Sequence, residues 1–361
     1  MTNLEINLLG SPNWRDYELL DSGGGQKLER FGEYVFVRPE VQALWGKSLP
    51  PARWEVAHAI FQPTGEERGG HWAFKKQVAE KWEMGYDLTP TPLSFPPFRS
   101  SPVPACPGGQ ARAALAQAEM GGARGVIRFW AQTTPGRHLG VFPEGAAHWD
   151  WISALIHHRV HGACTERSRS ERGEDKKDSV SSVGSVVNVL NLFGYTGLAT
   201  LAAAAAGARV THVDASKKSV TWARENQALS GLADKPIRWI VDDALKFVQR
   251  EARRGVKYDG ILLDPPKFGR GPKGEVWEVY KSLPLLLQAC REVLSDRPLF
   301  VVVTIYAVKA SAVHLYYALE EMMKGFGGKL DCGELVTQEK SGERLLSSAV
   351  YARWKNLQGL N

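Results

Sequence analysis

Cysteine is scarce in this chain of 361 residues. There are four, Cys106, Cys164, Cys290 and Cys332, and no two stand in Cys-x-x-Cys spacing. That argues against a structural zinc site and against a disulfide framework, so no metal is expected. Long hydrophobic runs are also missing. A bilayer span needs about 20 consecutive apolar residues, whereas the tightest apolar run, Leu201–Ala206, is an alanine tract. Met1–Gly10 lacks a basic stretch followed by an apolar core, so a cytoplasmic chain with no membrane partner is expected. Charge of one sign is only mildly in excess. With 45 Lys+Arg against 39 Asp+Glu, the net charge is +6, compatible with a polyanionic partner without demanding one.

What is present divides into five stretches. Residues 1–88 read as a small β-rich domain, with strand-like runs at Tyr17–Asp21 and Tyr34–Arg38 and turn signals at Gly23-Gly24-Gly25 and Phe31-Gly32. Aromatics are dense there, at Trp45, Trp54, Phe61, Trp72, Phe74 and Trp82. They suit a tryptophan-packed core or a base-stacking platform, and packing is the commoner use. Residues 89–125 are rich in Pro, Ser, Gly and Ala with no period of either kind, which predicts a linker or insertion. Residues 126–162 predict a strand and an amphipathic helix carrying Trp149, Trp151, Ile152, Leu155 and Ile156. Residues 163–185 alternate in charge and hold almost nothing apolar, so a second, poorly ordered insertion is expected there.

From residue 186 to 361 the pattern changes. Apolar β-branched runs at Val186–Leu190, Arg209–Val213, Ile237–Val241, Tyr258–Leu263 and Leu299–Thr304 alternate with helical segments. Those helices are expected at Gly197–Ala206, Lys217–Ser230, Asp243–Arg254, Lys281–Leu294 and Ser311–Lys324. Strands and helices at this rhythm predict an α/β fold with a mostly parallel sheet covered on both faces. Two final strand-like runs, Gly333–Thr337 and Ser347–Trp354, predict a terminal antiparallel hairpin.

Four strand ends carry candidate chemistry. Asn191-Leu-Phe-Gly-Tyr-Thr-Gly197 follows the first strand and opens a helix, so Asn191, Phe193, Gly194, Tyr195, Thr196 and Gly197 bring backbone and free helix amides close to a carboxylate or phosphate. A plain glycine turn would look similar, and the loop is not G-x-G-x-x-G, so the dinucleotide fingerprint fails. Asp214, followed by Ala215 and Ser216, ends the second strand 17 residues after Gly197 and is placed to accept bonds from ribose hydroxyls, or merely to cap the next helix. Asp242, Asp243 and Ala244 close the third strand, where one carboxylate suits an adenine amino group and the other a helix cap. Asp264-Pro265-Pro266-Lys267-Phe268 is the most informative element. Two prolines fix an extended turn whose carbonyls no helix takes up, making with Asp264 an acceptor-rich lip. Phe268 follows as a stacking surface, and Lys267, Arg270 and Lys273 form a basic cluster.

Val187–Phe268 resembles the catalytic domain of class I S-adenosylmethionine-dependent methyltransferases, specifically the bacterial large-subunit ribosomal RNA methyltransferase group with its NLFGYTG and DPPKF motifs. The likeness extends over roughly Val186–Trp354. Gly140-Val-Phe-Pro-Glu144 and His148-Trp-Asp-Trp151 are similar to that group's segment before the catalytic domain, and the N-terminal stretch is similar to its short β-domain. The resemblance implies a Rossmann-like sheet, S-adenosylmethionine as cofactor and RNA as partner. It implies that Asn191–Gly197 cradle the methionine part, Asp214 holds the ribose, Asp242 and Asp243 face the adenine, and Asp264–Lys267 form the catalytic acceptor loop. Phe142 matches a position close to the cofactor.

One departure bears on mechanism. Methylating pyrimidine carbon 5 requires a thiolate that adds to carbon 6, and members doing so place a cysteine beside the fourth or fifth strand's end. Here those positions read Pro265-Pro266-Lys267 and Thr304-Ile305-Tyr306. Direct transfer to a nitrogen or oxygen, which is mainly a matter of positioning and proton removal, is therefore expected. Three other readings stand beside this one: a nicotinamide oxidoreductase, a non-catalytic RNA-binding protein that keeps the cofactor fold, and a methyltransferase for a substrate other than RNA.

Overall fold

The structure is a computed structural model that describes residues 4–11, 14–64, 69–88, 125–170, 186–306, 310–342 and 344–357, with backbone alone over 161–170. The expected linker at 89–125 lies outside these residues except for Gly125. The expected insertion at 163–185 lies outside them from 171 onward.

The N-terminal part is built from short strands. These are β1 (Ile6–Leu9), β2 (Tyr17–Gly23), β3 (Gln26–Phe31), β4 (Tyr34–Pro39), β5 (Ala59–Pro63), β6 (Gly70–Phe74), β7 (Trp82–Asp87) and β8 (Val126–Ala131), with one short helix, α1 (Pro51–Glu55). Strands β2 to β6 form one five-stranded sheet, and β7 pairs with β8. The packing use of the aromatics is the one observed. Trp54, Phe61 and Trp82 are buried, Phe36 stacks on Trp82 at 5.7 Å, and the Trp72 indole donates to the Thr134 carbonyl at 2.9 Å. Of the six aromatics singled out, Phe74 is the exposed one.

The first described strand does not join this sheet. Strand β1 runs parallel to Lys329–Gln338 at the edge of the other, eight-stranded sheet. That sheet belongs to a βα succession: α2 (Ala146–Ser170), β9 (Asn188–Leu192), α3 (Leu198–Ala205), β10 (Arg209–Asp214), α4 (Lys217–Leu229), β11 (Ile237–Val241), α5 (Ala244–Arg253) and β12 (Gly260–Leu263). A small hairpin, β13 (Phe268–Arg270) and β14 (Val276–Glu278), precedes α6 (Val279–Glu292), β15 (Phe300–Tyr306), α7 (Ala312–Met322), β16 (Lys329–Gln338) and β17 (Leu345–Lys355). Helix α2 runs on to Ser170, past the break expected at residue 163.

The order across the sheet is β1-β16-β17-β15-β12-β9-β10-β11. Strands β9 to β12 and β15 are parallel, whereas β17 is antiparallel to both β15 and β16, which is the expected terminal hairpin. The chain runs outward from β9 through β10 to β11 and then returns to its other side as β12. That reversal makes the carboxyl edge at β9 a switch point, where open α/β sheets bind their ligands. Apolar alternation explains the two cores. Val302 and Val189 face α2 and α3, while Val301 and Val303 face the layer of α5, α6 and α7. Among the described residues no helix is long and apolar enough to cross a membrane.

Candidate functional site

Register brings the four strand ends together. Leu263 is level with Leu192 and Leu192 with Val213, while Asp214 is level with Val241. Phe193, Asp214, Asp242 and Asp264 thus leave the sheet at adjacent points along one edge.

The loop after β9 is held in a conformation its residues do not favour. Phe193 (φ 58°) and Tyr195 (φ 48°) both sit in the left-handed region, a strain that persists only where surroundings over-determine it. Gly194 between them donates to the Val213 carbonyl at 3.1 Å, and a Cβ there would lie 2.4 Å from the His212 ring. Only glycine lets the loop pass so close to β10. The Tyr195 amide donates to Asp214 Oδ2 at 2.9 Å, and Thr196 Oγ1 donates to the Gly140 carbonyl at 2.7 Å. Asn191 is buried and spends its amide on Thr200. Gly197 (φ 85°) brings no side chain to cap α3, so that helix opens with first-turn amides aimed at the edge and no side-chain acceptor.

A cavity opens at this edge. Its walls are Val141, Phe142, Gly145, His148 and Trp149 on one side and Asn191, Phe193–Thr196, Leu198 and Ala199 on another, with Leu262–Asp264, Val302, Thr304 and Tyr306 below. The Phe142 ring lies 5.1 Å from Tyr306 and 5.8 Å from Tyr195, forming an aromatic wall. Asp264 Oδ1 is buried and has no hydrogen-bond partner. Burial, with the Glu144 charge adding to it, pushes this carboxyl up to about 8. Glu144, itself buried, is also raised by its burial.

Of the residues singled out from sequence, Phe142, Asn191, Phe193, Gly194, Tyr195, Thr196 and Asp264 line the cavity. The others lie outside its lining. Asp214, raised by burial, accepts from Tyr195 N and from Ser216 N at 2.8 Å; Ala215 lies between, and Ser216 caps α4 through Ser219 N at 3.2 Å. Asp243 takes the capping role on α5, accepting from Lys246 N at 2.9 Å just after Ala244 opens that helix. Asp242 is ion-paired with Arg250 and also accepts from Asp243 N at 2.9 Å.

The proline lip needs one correction. Its carbonyls are not all left open: the Pro266 carbonyl accepts from the Trp277 indole at 2.7 Å and the Lys267 carbonyl from Val279 N at 3.1 Å, while Pro265 is buried. Sequence could not anticipate this, because Trp277 returns over the lip only through the β13–β14 hairpin. That hairpin carries Phe268, Arg270 and Lys273 and directly follows Lys267, whose Nζ lies 5.4 Å from the Phe268 ring centre. Trp277 also packs against Phe193 at 4.8 Å, tying hairpin to loop.

The sequence reading named none of His148, Trp149, Val302, Thr304 and Tyr306 as a site residue, yet all of them line the cavity. For β15 the signal was available: residues 302, 304 and 306 share one face of a strand by its period of two. His148 opens the His148-Trp-Asp-Trp151 segment, whose family likeness carried no site role for it.

Comparison with known proteins agrees with this fold. The family described as conserved hypothetical protein 95 matches residues 178–278. The SAM-dependent methyltransferase structure from Agrobacterium tumefaciens is 39% identical, covers 98% of this chain and 97% of its own, and superposes with a TM-score of 0.75. The SMU.776 structure, solved in complex with SAH, is 16% identical with a TM-score of 0.60 over 95% of this chain and 76% of its own, a likeness of fold. Ribosomal RNA large subunit methyltransferase I of Klebsiella pneumoniae is 38% identical over 60 residues. That match takes in 17% of this chain and only 15% of the Klebsiella protein's length.

Proposed function

This chain belongs to the S-adenosylmethionine-dependent methyltransferases, and on that premise we propose that it methylates a nucleobase of RNA, ribosomal RNA foremost, by direct transfer. The observation that carries the reading is the unpartnered, buried Asp264 oxygen in a cavity at the switch point.

The residues fit the cofactor. The uncapped start of α3 suits an anionic end, Asp214 keeps lone pairs for ribose hydroxyls, and the Phe142, Tyr195 and Tyr306 rings suit a sulfonium cation. Asp242 faces the adenine side less freely, because Arg250 already holds it. When bound, S-adenosylmethionine supplies a methyl group already activated on positively charged sulfur.

What remains for the protein is to orient the acceptor and take its proton. Asp264 accepts a hydrogen bond from an exocyclic amine and then the proton released as the nitrogen is methylated. With this carboxyl pushed up to about 8, it is the ionised fraction of Asp264 that takes the proton, so transfer is expected to rise with pH toward that value. No thiol is needed, and among the described residues no cysteine lines the cavity. Cys290 and Cys332 are buried elsewhere in the fold, with burial pushing the Cys290 thiol up; Cys106 and the Cys164 side chain lie outside the described residues. Lys267, Arg270 and Lys273 supply phosphate contacts and Phe268 a stacking face on the hairpin beside the cavity. The ribosomal RNA named for the Klebsiella relative favours this acceptor class, which would put the chain's work in the cytoplasm.

The test is methyl transfer from labelled S-adenosylmethionine to total RNA, followed by nucleoside mass spectrometry. Label on a base nitrogen is expected. Label appearing only in protein or small molecules would overturn the RNA acceptor, and full turnover by Asp264→Ala would remove the lip from the active site.

A further inference from the structure

We propose that His148 is a cofactor ligand, donating a hydrogen bond to the methionine carboxylate and completing, with the first-turn amides of α3, the anion-holding end of the cavity. The inference rests on the cofactor site argued above and adds a residue that neither the motifs nor the relatives' names assign.

Three observations carry it. His148 is 6% exposed and lines the cavity, yet neither ring nitrogen has a hydrogen-bond partner. Its ring packs edge-on against Tyr351 at 5.3 Å, which accounts for where the ring sits but leaves both nitrogens unsatisfied. A buried polar group left so is costly unless something outside the chain pairs with it. Second, Leu198 and Ala199, in the first turn of α3, line the same cavity, and no side chain caps that turn. Third, burial, with Arg353 adding to it, holds the imidazole down at about 3, so the ring is neutral and offers one N–H donor.

Topology selects the end of the cofactor. The carboxylates suited to ribose and adenine, Asp214 and Asp242, follow β10 and β11, on one side of β9. His148 shares its cavity with Asp264 and Thr304, at the ends of β12 and β15 on the other side. A ligand whose nucleoside lies over β10 and β11 therefore brings its amino-acid end toward His148.

The full chain and His148→Phe are titrated calorimetrically with two ligands: S-adenosylhomocysteine, which has the carboxylate, and 5′-methylthioadenosine, which lacks the whole amino-acid end. Loss of one hydrogen bond to a charged group predicts a roughly tenfold to hundredfold weaker S-adenosylhomocysteine complex in the variant. Methylthioadenosine affinity stays unchanged. The variant without ligand melts no lower than the native chain, since two unpaired nitrogens are gone. Unchanged S-adenosylhomocysteine affinity overturns the proposal, as does equal weakening of both ligands, which marks a merely structural ring. A variant that keeps the affinity but loses transfer to RNA overturns it in favour of an acceptor contact. Should His148→Phe not fold, His148→Gln is read by the same ratio, with S-adenosylhomocysteine bound between the native and carboxylate-blind extremes. Failure of the underlying cofactor site looks different, because the native chain then binds neither ligand.

Discussion

Two buried carboxyls, one in each part of the molecule, respond to burial in opposite ways. Glu29, in the N-terminal sheet, is fully buried. Burial pulls its carboxyl upward, but Arg38, bound through both nitrogens at 2.7 Å, outweighs that together with Lys27 and the Tyr17 hydroxyl, and holds it at about 2. Asp264, at the carboxyl edge of the parallel sheet, has an equally buried oxygen, no partner for it, and a carboxyl at about 8. The N-terminal region uses its buried charge to hold itself together. The cavity keeps an unsatisfied carboxyl oxygen, which under the proposed function is met by the acceptor. On the proposed function, the perturbed group without a partner belongs to the working site and the perturbed group with one to the scaffold.

Removing each carboxyl's function should separate the two roles. The largest effect expected is on catalysis: Asp264→Ala lowers methyl transfer to RNA by roughly a hundredfold to ten-thousandfold, the range that proton-transfer groups contribute. Calorimetric S-adenosylhomocysteine binding changes far less. Arg38→Ala next leaves Glu29 charged and buried without its main partner, which costs about 3–5 kcal/mol of stability by denaturant titration. Cofactor affinity, measured well below the melting temperature, is retained. If instead Arg38→Ala abolished binding while leaving stability intact, the division between scaffold and site would fail.

Acidity sharpens the contrast. Asp264 has a folded value raised above its ordinary one, so the folded chain holds that proton more tightly than the unfolded chain. Stability from this group is full below about 4 and falls as pH rises toward about 8. Asp264→Asn lacks that dependence, so its melting temperature gains on the native chain across this window. Glu29 runs the other way: its contribution is complete above its ordinary range near 4.5 and is lost as pH falls toward about 2, a loss that Glu29→Gln does not share. Parallel melting curves for both variants at every pH would erase the comparison. The smallest effect lies on the hairpin, where Arg270→Ala with Lys273→Ala raises the KM for RNA severalfold, more weakly as salt rises, with cofactor affinity unchanged.

Much of the parallel region could be read from the chain itself. Strands such as Ile237–Val241 and helices such as Lys217–Leu229 fall where local periodicity puts them, and Ser216 and Asp243 cap helices as short polar side chains do. The N-terminal region was less legible. Strand β1 sits in the distant sheet because Lys329–Gln338 offers it an edge, a pairing across more than three hundred residues that no local pattern encodes. The Trp277 indole over the proline lip and the pairing of Asp242 with Arg250 were hidden for the same reason.

By itself, the sequence determined the order of strands and helices, the glycine that lets the β9 loop pass His212, and the residue types at the four strand ends. These depend on backbone geometry and near neighbours in the chain. Tertiary structure alone decided which of those carboxylates are already spoken for, and that two groups lining the cavity, the Asp264 Oδ1 oxygen and the His148 ring nitrogens, are buried without partners. Satisfaction of a hydrogen bond depends on whatever lies within about 3 Å in space, wherever it stands in the chain.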